Sequence, residues 1–177
     1  MKLKHVKLIL IFLLCLSCGT NQTINSQKNN LEQLNCPQDG YCKIQTFRNS
    51  TLKITEDKFG HRSIDVKRGE NIVVQFLYKR NEIPNTMDSG YSEIVYLELN
   101  ESSLKDNTFK NIDLNQVNAQ YGRFCYCKDA TGFYPISVGE LNLAKIDDNS
   151  YSLYFEYNTL GIPQITSEFQ TVILNNI

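Results

Sequence analysis

From about residue 42 onward the chain alternates apolar and polar side chains in short runs, each broken by turn residues. Cys42 to Phe47 is one run, and Thr51 to Glu56 is a second, with Leu52 and Ile54 on one face. Asp57-Lys58-Phe59-Gly60 reads as a hairpin turn into Ser63 to Val66, where Ile64 and Val66 alternate. Ile72 to Lys79 sets Ile72, Val74, Phe76 and Tyr78 on one face against Val73 and Leu77 on the other. Tyr91 to Leu99 likewise sets Val95, Leu97 and Leu99 against Ile94 and Tyr96. Apolar on both faces, these two runs predict central strands.

The pattern then blurs. Glu101 to Asn118 is polar with scattered Leu104, Phe109, Ile112, Leu114 and Val117, and no helical face emerges. Gln120 to Cys127 reads as a strand, and Lys128 to Gly132 as a loop. Glu140 to Ile146 and Ser150 to Tyr157 form the clearest hairpin, around Asp147-Asp148-Asn149. Gly161 and Pro163 punctuate, and Ile165 to Leu174 reads as a last strand. About nine short strands without a sustained helical stripe predict one all-β domain over residues 36–177, an antiparallel sandwich or barrel.

Composition narrows the class. With 41% hydrophobic and 21% charged residues, the 177-residue chain is globular rather than disordered. A formal charge of −1 gives no basic face for nucleic acid.

The N-terminus says where the chain goes. Lys2, Lys4 and Lys7 precede the apolar run Leu8 to Leu16, which falls short of the roughly 20 residues a spanning helix needs. A positive start, a short apolar run and small residues describe a secretory signal peptide over residues 1–17. Ser17-Cys18-Gly19 resembles the lipobox of bacterial lipoproteins, in loose forms like those of the Bacteroidetes, with Cys18 as the lipidated residue. Cys15 stands where that motif usually has Leu. The resemblance implies export and a membrane held through a lipid anchor. Gly19 is not the Asp that retains enteric lipoproteins at the inner membrane, so an outer-membrane destination is implied. Removing residues 1–17 takes away three lysines and no acid, which moves the formal charge from −1 to −4. Residues 19–35 are rich in Asn and Gln and read as a flexible tether spanning roughly 20–25 Å as a coil. They carry no acidic cluster of the kind that resembles a surface-export signal, which leans the location to the periplasmic side.

Cys36, Cys42, Cys125 and Cys127 remain, an even number that reads as two disulfides in an exported chain. Bonding Cys125 to Cys127 would close a tight ring, so the expected bonds run from the 36–42 loop to the 125–127 strand, crossed or uncrossed. Such bonds close a loop of about 90 residues, which contributes roughly 4–5 kcal/mol for one bridge by the chain-entropy argument. A four-thiolate metal site and a redox-active CxC pair are the weaker alternatives.

Catalytic constellations fail to assemble, and no cofactor is called for. His61, the only histidine after residue 17, sits at a hairpin tip, with no GxSxG elbow to serve. Glu93 and Glu98 are five apart on one strand and face opposite sides, so they make no acid–base pair. Asp147 and Asp148 belong to a turn. The aromatic residues Tyr121, Phe124, Tyr126, Phe133 and Tyr134 crowd the Cys125/Cys127 strand. Two expectations follow: a partner-binding or sugar-stacking face, or core filling beside a disulfide. The loop Asn81 to Gly90 is long for a hairpin; it reads first as a surface loop, of the kind that carries binding when a rigid sheet supports it.

The segments GRFCYCKDATGFY (Gly122 to Tyr134) and CPQDGYC (Cys36 to Cys42) resemble those of small, uncharacterised lipoproteins of flavobacteria and their relatives. That resemblance brings no activity and no functional residue. The expectation is a lipid-anchored interaction or structural domain with an envelope-protein partner. A small-molecule or carbohydrate-binding β-domain is the rival.

Overall fold

The computed structural model describes residues 36–174 apart from residue 129. The signal peptide, Cys18 and the tether expected from the sequence lie outside these residues.

Among the described residues, ten strands form two antiparallel sheets. They are β1 Gly40–Glu56, β2 Arg62–Arg68, β3 Asn71–Arg80, β4 Tyr91–Leu99, β5 Asn107–Lys110, β6 Gln120–Cys125, β7 Gly132–Pro135, β8 Val138–Asp147, β9 Ser150–Asn158 and β10 Glu168–Leu174. Two short 3-10 helices, Glu101–Ser103 and Asn111–Val117, flank β5. The larger sheet runs β2-β1-β3-β4-β6-β7 and the smaller β10-β9-β8-β5. The fold is therefore the all-β antiparallel architecture the alternation predicts, with β3 and β4 central.

One face of the large sheet packs on the small one. Val74, Phe76 and Tyr78 of β3 and Val95, Leu97 and Leu99 of β4 bury there with Leu153, Phe155, Tyr157 and Phe169. Phe76 stacks on Phe169 with ring centroids 4.9 Å apart. The opposite face has a second apolar cluster, Leu52, Val73 and Tyr96, with Phe47, Ile54, Ile64, Val66, Ile94 and Phe133 against it. The large sheet curls around this cluster until its two edges, β2 and β7, meet.

Strand β1 makes that curl. The sequence predicts two runs here; the structure joins them into one 17-residue strand. Its pairing with β3 slips between Phe47 and Ser50, where Asn49 takes the left-handed conformation at φ 48°. An extra residue turns the side-chain alternation over. Ile44 thus packs on the sandwich core, while Leu52 and Ile54 serve the cluster behind.

The two disulfides depart from expectation. Cys36 bonds Cys42, with Cα atoms 5.8 Å apart, and Cys125 bonds Cys127, at 5.1 Å. No bond joins the two segments. Strands β3 and β4 stand between β1 and β6, so Cys42 and Cys125 are three strand spacings apart, about 14 Å, beyond the reach of a disulfide.

Candidate functional site

Register places β1 Gly40, β3 Arg80, β4 Tyr91 and β6 Cys125 at one end of the large sheet. The 36–42 loop, the 81–90 loop and the 126–131 loop all leave from that end, so both disulfides lie there. Gly40 is required by a close approach, because a Cβ would fall 2.4 Å from the Lys79 carbonyl oxygen and 2.5 Å from the Tyr78 ring. Asp39 then accepts the Tyr78 hydroxyl at 2.7 Å and ion-pairs with Arg80 at 3.2 Å. The Tyr78 hydrogen bond, together with the Arg80 charge, holds the Asp39 carboxyl below its usual range.

Beneath this rim lies a polar network on the sandwich side. The Arg80 and Arg123 guanidinium groups lie 4.6 and 5.4 Å from the centre of the Tyr91 ring. Tyr91 donates its hydroxyl to Glu93 Oε1 at 2.6 Å. Buried Glu93 also accepts the Ile165 amide at 2.6 Å, the Thr166 amide at 2.8 Å and the Thr166 hydroxyl. Burial raises the Tyr91 hydroxyl above its ordinary range, and its hydrogen bond to Glu93 adds to the rise. Burial also raises Tyr121 and Tyr157. These groups tie the 159–167 loop to β4.

Glu98 does the same on the opposite face. It accepts Thr51 Oγ1 and Asn71 Nδ2 at 2.6 Å, Asn118 Nδ2 at 2.9 Å and the Leu52 amide at 3.3 Å. Burial pushes its carboxyl up, and the hydrogen bonds together outweigh burial, so the net shift is downward. Glu93 and Glu98 face opposite sides, as their five-residue spacing requires.

The expected aromatic face divides in two. Tyr121 is 0% exposed and packs against Tyr157, ring centroids 6.2 Å apart; it cannot form part of an accessible face. The odd positions of β6 point at the small sheet, and Tyr134, paired with Tyr121, packs on the same core. Phe124 and Phe133 lie on the other face and meet edge to face at 5.1 Å. Gly122, opposite Phe133, leaves the space these rings occupy. Phe124, Phe133, Leu77 and Ile94 are half-buried, so an apolar strip remains open beside the second cluster. Tyr126 lies beyond the end of β6 and is exposed. Deeper along the same face, Gln75 donates to the Tyr96 hydroxyl at 2.6 Å. Buried Gln120 Oε1 has no hydrogen-bond partner among the described residues.

No family model, curated protein or solved structure matches this chain. The site therefore rests on its own geometry.

His61 sits on the exposed turn after β1, its Nδ1 3.3 Å from Asp57. Asp147 and Asp148 occupy the β8–β9 turn, where Asp147 accepts the Asn149 amide at 2.8 Å. No group of three or more His, Cys, Asp or Glu among the described residues could hold a metal ion. No described helix is long and apolar enough to cross a membrane. Sequence reasoning missed the Leu77–Ile94 half of the strip. The signal was the apolar back face of β3 and β4, which by itself marks only central strands.

Proposed function

We propose that the chain is an exported lipoprotein, anchored through Cys18 to the periplasmic side of the outer membrane. Its all-β domain binds an envelope protein and carries out no chemistry. The lipobox-like Ser17-Cys18-Gly19 and the signal-peptide pattern support the anchor. The observation that carries the binding role is the half-open strip of Leu77, Ile94, Phe124 and Phe133 on a hydrogen-bonded sheet, at the end whose flanking loops are closed by two disulfides. Apolar and aromatic side chains on a rigid sheet are what a protein partner buries. A photo-crosslinking residue at Phe124 in cells should give one discrete adduct that a residue at Lys53, on the far half of β1, does not. Equal, diffuse labelling at both positions counts against the reading.

The second reading is a small apolar ligand with one hydrogen-bond donor, favoured by the unpartnered Gln120 Oε1 behind the strip. Native mass spectrometry of protein extracted from its own membrane separates the two. A retained small molecule supports the second, and a lipidated chain with two disulfides and nothing else supports the first.

A further inference from the structure

We infer that the disulfide end of the domain lies against the lipid surface in which the anchor sits, with Tyr41, Ile83, Met87 and Tyr126 entering the interface. The inference rests on the anchor reading above and adds an orientation and a second membrane contact to it.

Four exposed apolar side chains crowd this end. Met87 is 100% exposed, Tyr126 85%, Ile83 55% and Tyr41 49%. They come from the three segments that leave the same end of the large sheet: the 36–42 loop and the first residues of β1, the 81–90 loop, and the turn after β6. Met87 and Ile83 share a loop that Asn85 turns with a φ of 61° and that Ser89 closes by accepting the Ile83 amide at 3.2 Å. The tips are therefore held outward by a built loop. Tyr at such a tip keeps its hydroxyl in the headgroup layer while its ring goes deeper.

The point where the preceding chain joins sets the occupant. In the anchored chain, residues 18–35 join the domain at Cys36, and the Cys36–Cys42 bond fastens that junction to β1 at this end. Seventeen residues separate Cys18 from Cys36. As a coil, that length has an average span of about 20–25 Å, which keeps this end near the lipid for much of the time. Over so short a tether a weak contact becomes an intramolecular one, so a few apolar side chains suffice. The segments 36–43, 79–90 and 123–131 hold five Lys or Arg against four Asp or Glu, so the contact is apolar rather than a response to anionic lipid.

The chain contains no tryptophan, which makes the test direct. The full lipidated protein carrying Met87→Trp, or separately Tyr126→Trp, is reconstituted into phosphatidylcholine vesicles with and without phosphatidylglycerol. Phe59→Trp, on the exposed turn at the other end of β1, is the control. Brominated phosphatidylcholine should quench the indole fluorescence of the Met87→Trp and Tyr126→Trp proteins about twofold with either lipid mixture and leave that of the Phe59→Trp protein unchanged. Protein that floats with the vesicles while the indoles at positions 87 and 126 stay unquenched overturns this inference, keeps the anchor and leaves this end to a protein partner. Quenching only with phosphatidylglycerol overturns the apolar mode of contact. Protein that carries no lipid and fails to float removes the anchor reading and this inference with it.

Discussion

Thr166 donates both its amide and its hydroxyl to Glu93, a buried carboxylate on a strand of the opposite sheet. With Tyr91 and the Ile165 amide, four donors converge on two oxygens, and the 159–167 loop is fixed to β4 by them. Glu93→Gln would turn an amide donor towards donors it cannot accept. We expect a loss of about 1–3 kcal/mol in urea unfolding, with hydrogen exchange at Ile165 and Thr166 accelerating. An unchanged midpoint with unchanged exchange would deny the staple.

Glu98 gives the fold an acid limit. Its carboxyl is held below its usual value of 4.5 in the folded chain. A lowered folded value means stability is complete above the unfolded value. It then falls as pH drops through the folded one. The urea midpoint should be flat from pH 7 to about pH 5 and fall below about pH 4.5. Glu98→Gln should start lower at pH 7 and lose part of that acid slope. A variant with the full slope would assign the acid limit to other carboxylates.

Peptide mapping without reduction should return Cys36 with Cys42 and Cys125 with Cys127, and no peptide joining the two pairs. Replacing Cys36 and Cys42 together by Ser should cost about 2 kcal/mol, since so short a loop removes less chain entropy than one of about 90 residues. A loss of about 4–5 kcal/mol, or a cross-joined peptide, would restore the long-range pairing.

Gly122→Ala tests the open strip. The new Cβ would fall 2.5 Å from one Phe133 ring atom and 2.9 Å from Phe124. Both rings are half-buried and can turn outward, so the expected loss is about 1–2 kcal/mol. The protein-binding reading adds a change at the Phe124 crosslinking position. A stability loss with an unchanged adduct would separate packing from binding.

Much of the fold was legible because β3 and β4 are apolar on both faces, and β8 and β9 flank a clean Asp-Asp-Asn turn. The split of β1 into two runs follows a pattern that does break at Arg48 and Asn49. The break is a bulge within one strand, and the reversal of faces beyond it depends on pairing that no local pattern contains. Ring strain argued against Cys125–Cys127, but strand order decides which cysteines are near, and β3 and β4 intervene. Tyr121 stayed open between two readings for a related reason: a tyrosine suits a wet face or a core, and only the small sheet opposite β6 places it in the core. The four-residue β5 left no alternation long enough to read.

The attachment of the preceding chain to β1 has a mechanical consequence. β1 runs inward from that attachment, paired to β3 over its first half and to β2 over its second. The hydrogen bonds of a ladder lie across the strand. A pull on the preceding chain along β1, against a domain held elsewhere, therefore loads those bonds together in shear instead of opening them one at a time. The Cys36–Cys42 bond passes the load into the strand rather than letting its first residues peel. For a domain anchored as proposed above, the mooring would hold while the layers of the envelope slide past each other.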